Sequence, residues 1–236
     1  MGKLYLLPNT LGQSPLDSVI PRDTQKLIVS LKIFATENIK NTRRYLKFID
    51  KSVDIDSIDF YELNEHTKTK DVEAIVELLA NNDLGVISEA GCPGIADPGA
   101  ELVALAHKFN YDVVPLVGPS SILLALISSG FNGQNFSFNG YLPIKNNERV
   151  RALKNFERVS MQENRTQIFI ETPYRNDKLL EDMINILSPS TLLSLACDIT
   201  TKEQYIKTMS IAQWKKLKVK PLLHKRPAIF SFYCHK

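Results

Sequence analysis

The chain is poor in the residues that build the commonest metal, redox and nucleotide sites. Its three cysteines, Cys92, Cys197 and Cys234, are odd in number and form no C-x-x-C. That excludes a disulfide framework and suits a reducing cytosol. The four histidines are scattered, with none at ligand spacing to another, so no metal site is expected. Neither G-x-G-x-x-G nor G-x-x-x-x-G-K-[ST] occurs, which excludes the dinucleotide fingerprint and the phosphate loop. No apolar run approaches the roughly 20 residues of a membrane span, and no leader pattern opens the chain. Leu6 stands where a myristoylation signal needs Ser or Thr. A cytoplasmic protein without membrane contact is the expectation. No repeat or low-complexity tract is present, and the net charge of +3 is too small to establish a nucleic-acid partner by itself.

What is present centres on residues 84–130. Leu84–Ser88 is an apolar run of strand length, and it empties into Glu89–Gly99, where glycines and prolines surround Asp97. Such a mix marks an ordered turn, because Gly supplies φ > 0 and close backbone approach while Pro fixes φ. A helix follows over Ala100–Phe109, then a second strand over Asp112–Leu116, then Val117-Gly-Pro-Ser-Ser121 and another apolar helix that Ser120 is placed to cap. Two strand–loop–helix units in tandem predict a parallel α/β sheet, whose ligands lie beyond the carboxyl ends of the strands. Both unusual loops fall at that edge. The competing, less favoured reading is two tight turns that merely connect strands to helices.

Ser88-Glu-Ala-Gly-Cys-Pro-Gly-Ile-Ala-Asp-Pro-Gly99, followed by Val114-Pro-Leu-Val-Gly-Pro-Ser-Ser121, resembles the signature of the tetrapyrrole-methylase superfamily. Within it, the chain is similar to the branch of ribosomal RNA small-subunit methyltransferases I. Shorter matches run in register from Tyr5-Leu-Leu-Pro8 through Ala35–Asn38, Thr42-Arg43, Asn64-Glu65, Phe138–Pro143, Ile170–Arg175 and Ala196–Thr201 to Ala228–Tyr233. The resemblance implies an S-adenosylmethionine-dependent methyltransferase of two α/β domains, a homodimer, with the cofactor in the cleft between a parallel N-terminal and a mixed-sheet C-terminal domain. The boundary is placed near Val117, giving domains 1–117 and 118–236. Carried onto this chain, it sets Pro8, Gly91, Cys92, Pro93 and Asp97 around the cofactor, with Pro119, Ser120 and Ser121 from the next loop. From the second domain it adds Tyr141, Leu142, Thr172, Tyr174, Thr200 and Ala228. The implied acceptor is a ribose 2′-hydroxyl of ribosomal RNA, free or in the small subunit, with a small tetrapyrrole or a non-catalytic RNA-binding role as alternatives. Four departures fall mostly on the substrate side. Asn9–Ser14 replaces an Ile-Gly-Asn turn, and Glu37 is followed by Asn38-Ile-Lys rather than directly by Asp-Thr-Arg. Cys92 stands for Thr, and Cys197-Asp198 for Arg-Glu.

The remaining segments supply candidates. Leu4–Leu7 and Lys32–Ala35 read as strands, residues 9–21 as a loop, and Asn38–Ile49 as a basic helix. Arg43 and Lys47 lie one turn apart on it, a solvated face or a phosphate-contacting one; Arg43 and Arg44 are the substrate candidates. Asp59–Leu63 leads into Asn64-Glu65-His66, with Asn64 on the substrate side. Asp97 is open between receiving the cofactor's ammonium or a ribose hydroxyl and closing a local turn before Pro98. An alcohol acceptor needs help with deprotonation, and Glu37, Glu65 and Glu171 are the candidates for orienting or taking that proton. Arg175 joins the substrate group. Phe136–Gly140, Gln167–Glu171, Thr191–Ala196 and Pro227–Tyr233 read as strands; Asn147–Val159 reads as a basic helix with Arg149, Arg151, Lys154 and Arg158, and Asn176–Leu187 as an apolar-faced one. Residues 215–226, rich in Lys and ending in Arg226, are either a solvated basic linker or an RNA contact.

Overall fold

The structure, a computed structural model, describes residues 1–234 and divides into two compact units, Met1–Ser120 and Ser121–Lys236. The first opens with β1 (Lys3–Leu7), a single turn α1 (Leu16–Val19) and α2 (Arg22–Ser30). It continues through β2 (Ile33–Thr36), α3 (Ile39–Ile49), β3 (Asp59–Glu62), α4 (Thr69–Glu77), β4 (Leu84–Ile87), α5 (Ala100–Lys108) and β5 (Asp112–Pro115). All five strands are parallel, in the order β3-β2-β4-β1-β5. Alternate residues bury into layers on both faces, as parallel sheets require. Leu4, Ala35, Leu84 and Val86 meet Val76, Leu79, Leu102 and Ala106 on one side. Leu7, Phe34 and Ile87 meet Ile28, Tyr45 and Leu46 on the other. Asn38 fixes the start of α3 by accepting the Asn41 amide at 3.1 Å.

One feature of this order positions the candidate site. From β1 the chain turns toward β2, whereas from β4 it crosses to β5 on the far side of β1. The loops after β4 and β1, neighbouring strands, therefore diverge, and such a switch point is where α/β sheets bind ligands.

The second unit runs α6 (Ser121–Ser129), β6 (Phe136–Tyr141), α7 (Asn146–Glu163), β7 (Thr166–Ile170), α8 (Asn176–Ile186), β8 (Leu192–Cys197), β9 (Tyr205–Ser210), α9 (Ile211–Lys216) and β10 (Ala228–Tyr233). Its mixed sheet has the order β6-β7-β10-β8-β9, with only β6 and β7 parallel. Leu153, Phe169, Met183, Leu195, Trp214, Phe230 and Phe232 form its core, and the Trp214 indole donates to the Leu193 carbonyl at 2.9 Å.

Several elements differ from expectation. α1 lies inside the stretch 9–21 expected to be a loop, and α2, β9 and α9 were not anticipated. Ser210 ends β9 and at once caps α9 in a reciprocal box with Gln213, so no turn residue separates them. Two expected surface cations are structural. Arg149 of α7 is 11% exposed at the side chain and donates through Nε to Asp182 at 2.8 Å. Arg226 donates to Asp198 at 2.6 Å and to the Glu203 carbonyl at 2.8 Å. Removing Arg149 leaves the buried Asp182 with only the exposed Lys178, 3.1 Å away, as a counter-charge, so Arg149→Ala is expected to cost about 3 kcal/mol in urea unfolding, the lower end for a broken buried pair. A loss below about 0.5 kcal/mol would show the pair to be no better than a solvated one.

Candidate functional site

At the carboxyl edge of the parallel sheet, three loops are locked together. Asn9, after β1, bridges to Gly91: its amide donates to the Gly91 carbonyl at 2.8 Å and receives the Gly91 amide on its own carbonyl at 3.2 Å. The Asn9 side-chain amide donates to the carbonyls of Ser88 and Glu89, both at 3.0 Å. From the other side, Gly118 of the loop after β5 packs so closely on Pro8 that a β-carbon there would sit 2.0 Å from the Pro8 Cβ. The Cys92 thiol points to the Pro119 carbonyl at 3.6 Å, and burial raises its pKa, so it stays a neutral thiol. Beneath Pro8, the buried Tyr45 hydroxyl donates to its carbonyl at 3.0 Å, and burial pushes that phenol well above its ordinary range. The loop itself needs left-handed backbone at Gly91 (φ +68°), Gly94 (φ +78°) and Ala96 (φ +62°). Ala96 adopts this conformation despite its Cβ, immediately before Asp97.

Electrostatically this edge is acidic. Asp97 is half-buried, and its pKa is pushed up to about 6, first by burial and then by the Glu37 charge, with Glu89 adding and a Ser88 hydrogen bond opposing. The Glu89 amide approaches the Glu37 carboxylate at 3.4 Å, and Asn41 at the start of α3 donates to the Glu89 carboxylate at 2.5 Å. Among the described residues no Lys or Arg ion pair is made to any of these three carboxylates, a charge balance that suits a positively charged ligand. Among the described residues no group of three or more His, Cys, Asp or Glu is arranged to hold a metal ion.

The structure thus gathers Pro8, Glu37, Gly91, Cys92, Pro93, Asp97 and Pro119 at one edge, with Ser120 closing the first unit. It sets others apart. Glu65 lies beyond the edge strand β3, 84% exposed, with His66 3.6 Å away. Asn64 is engaged in its turn, its side-chain oxygen accepting the His66 amide at 2.8 Å, beside a hollow of about 490 Å³ lined also by Tyr61 and Thr67. Arg43 is turned to Asp56 at 3.0 Å and lies over the Phe60 ring, while Arg44 faces solvent.

In the second unit, the ends of β6, β7 and β8 and the start of β10 share one edge, where Ala228 pairs with Cys197. Tyr141 ends β6, and Thr172 and Thr200 follow the ends of β7 and β8, Thr200 in left-handed backbone (φ +73°), while Ser121 begins α6. The side chains of Leu142 and Ala228 are packed into the core. Glu171 is buried, with one oxygen receiving both the Thr172 amide at 2.6 Å and Arg175 at 2.5 Å. Tyr174 is exposed and meets the edge of His224. Sequence reasoning passed over Asn9, whose signal was only an amide side chain directly after the strand-ending Pro8, and Glu89, which opens the glycine-rich turn.

The fold is that of known methyltransferases. It superposes on the methyltransferase CobJ with a TM-score of 0.61 at 14% identity, covering 98% of this chain and 94% of that one. It also matches uroporphyrin-III C-methyltransferase from Thermus thermophilus, solved with S-adenosylhomocysteine, with a TM-score of 0.52 at 14% identity, covering 98% and 97%. The family model for tetrapyrrole (corrin/porphyrin) methylases matches residues 20–214, and the chain belongs to that family. Among its relatives, the ribosomal RNA small subunit methyltransferase I of Synechocystis sp. is 33% identical over 200 residues, 85% of this chain and 68% of the relative.

The contact of Gly118 with Pro8 gives a direct test of the loop packing. Gly118→Ala is expected to lower stability to urea by about 1–3 kcal/mol, the cost of overpacking. Gly133→Ala, where a methyl meets nothing within 4 Å, is the control and should change little. Equal behaviour of the two variants would contradict the packing described.

Proposed function

We propose that the protein is an S-adenosylmethionine-dependent methyltransferase that modifies ribosomal RNA of the small subunit, at a ribose 2′-hydroxyl. The observation that carries the donor is the acidic, glycine-shaped edge of the parallel sheet. S-Adenosylmethionine, when bound, supplies a methyl group activated by a sulfonium. The residues fit such a cation: ionised Asp97, beside Glu37 and Glu89, receives its ammonium or a ribose hydroxyl. The amides and carbonyls of the Gly91–Asp97 turn, with Pro8, Pro119 and Ser120, line its polar parts. Tyr141, Leu142, Thr172, Tyr174, Thr200, Ala228 and Ser121 of the second unit keep the donor-binding role that the family resemblance assigned. The RNA acceptor is supported by the name carried by the sequence relative, whereas the broad family description and the fold neighbours are what favour a tetrapyrrole.

Among the three carboxylates proposed for the acceptor's proton, Glu37 fits best, because it faces Asp97 and the Glu89 amide. Glu171 is engaged by Arg175 and the Thr172 amide, which suits orientation of Arg175 toward substrate rather than proton transfer. Glu65 lies past the edge strand β3 of the first unit, 84% exposed beside His66, and away from the donor loop after β4. Holding acceptor and donor in line supplies the larger part of such a reaction, and the general base a smaller factor of about 10²–10⁴. The same proposal includes a homodimer in the cytoplasm. α6 carries no charged residue and turns Ile127 outward at 76% exposure, which favours a self-contact. No described helix is long and apolar enough to cross a membrane.

The folded protein without ligand favours neutral Asp97, so its unfavourable charge is absent below pH 3.8 and fully expressed above about 6. A cationic donor reverses that preference and releases a proton on binding. Calorimetric affinity for S-adenosylmethionine is therefore expected to rise about tenfold from one pH unit below the Asp97 pKa to the plateau above it. Asp97→Asn should flatten the profile; an unaltered profile in that variant removes Asp97 from the site. For the acceptor, deletion of the gene should abolish one ribose methylation in small-subunit RNA and restoration of the gene should return it. An unchanged methylation map rejects the RNA substrate.

A further inference from the structure

We infer that the outer face of α3 is a track for the RNA backbone leading to the donor loop, an inference that rests on the RNA acceptor proposed above. Thr42, Tyr45 and Leu46 bury the inner face of the helix. The opposite face repeats at i, i+4 and i+7 with Lys40, Arg44 and Lys47, all exposed, over about 10 Å of helix. Lys51 continues the line just past the helix end. Beside them, on the same side, Phe48 is 57% exposed, an unusual position for a large aromatic on a strongly amphipathic helix. Exposed cations interleaved with an exposed ring form the combination that holds single-stranded nucleic acid, the cations on phosphates and the ring under a base.

The structure changes which cations count. Arg43 is the only basic side chain of α3 in a salt bridge among the described residues: it neutralises Asp56 and lies over Phe60, 5.9 Å from the ring centre. Lys40 and Arg44 carry no such partner among the described residues. The neighbouring acids are engaged with their own turns. Asp50 receives the Ser52 amide at 2.8 Å and Asp54 the Asp56 amide at 3.2 Å. A hollow of about 660 Å³ between α3 and Ser52–Asp56, edged by Arg44 and Lys47, gives room beside the stripe. The track also has a direction. Its first turn holds Asn41, which donates to Glu89 of the donor loop at 2.5 Å, so a strand following the cations toward the helix start arrives at that loop.

The test measures fluorescence anisotropy of a labelled single-stranded oligoribonucleotide across a salt series. It compares the full chain with Lys40→Gln/Arg44→Gln/Lys47→Gln and with Phe48→Ala, and S-adenosylmethionine affinity is measured in parallel by calorimetry. Loss of three phosphate contacts is expected to make the log–log salt slope shallower by about 2 and to weaken binding on the order of 50-fold near physiological salt. Phe48→Ala should weaken binding at least about fivefold with the slope unchanged. Donor affinity should stay within about twofold in both variants; if the triple variant loses donor binding too, Phe48→Ala alone decides. Variants that bind RNA as the parent does, with donor affinity intact, overturn the track and leave the RNA acceptor standing. A parent chain that binds neither the oligoribonucleotide nor purified small ribosomal subunits rejects the RNA acceptor, and the track with it. Binding of the parent to phosphatidylserine vesicles in place of RNA, lost in the triple variant, also overturns the inference.

Discussion

The structure of the first unit depends on how closely three loops approach one another at the carboxyl edge of its sheet. The backbone pair between Asn9 and Gly91 holds the loop after β4 to the end of β1. The bare α-carbon of Gly118 lets the loop after β5 close on Pro8 from the other side. Neither contact can be relaxed without moving the other, because Pro8 and Asn9 are adjacent and Pro8 is itself held by Tyr45. Loops clamped in this way present backbone amides and carbonyls in fixed directions. A ligand then binds without having to order them, which is what preorganisation contributes to affinity. The left-handed backbone at Gly91, Gly94 and Ala96 persists for the same reason, being over-determined by its surroundings.

On this rigid frame the charge has a clear logic. Asp97, Glu37 and Glu89 come from two different loops and are brought together by the order of β2 and β4, so their mutual repulsion is imposed by the sheet. An arrangement that costs stability in the free protein is recovered when a cation arrives. The cations of α3 lie along the adjoining helix, separate from the acids. In the proposed reading one sign of charge serves the donor and the other the route of a polyanion, and the hydrogen bond from Asn41 to Glu89 joins the two regions.

Much of this was legible in the chain. The buried run Leu84–Ile87 and the ordered turn after it were legible, because Gly takes left-handed backbone readily and Pro fixes φ. The second sheet was partly legible: β6, β7, β8 and β10 stand out as apolar runs. β9 is half-exposed and passes straight into α9 with no turn residue between them, and α2 begins immediately after Pro21 without a side-chain cap. The roles of the arginines were not legible. Arg149 meets Asp182 across 33 residues and Arg226 meets Asp198 across 28, and nothing local distinguishes them from the solvated cations beside them. Asn9 was hidden for a related reason: its partners, Ser88 and Glu89, are about eighty residues on, and only the β1–β4 pairing brings them near.

The claim on which the account rests is that the loops after β1, β4 and β5 form the cradle of a methyl donor. Amide hydrogen exchange followed by mass spectrometry, with and without saturating S-adenosylmethionine, addresses it directly. Protection in the first unit is expected to rise in peptides covering Pro8–Asn9, Ser88–Gly99 and Val117–Ser120, and to leave α4 unchanged. Donor binding that leaves those loops as exposed as before, while protecting another part of that unit, contradicts the account.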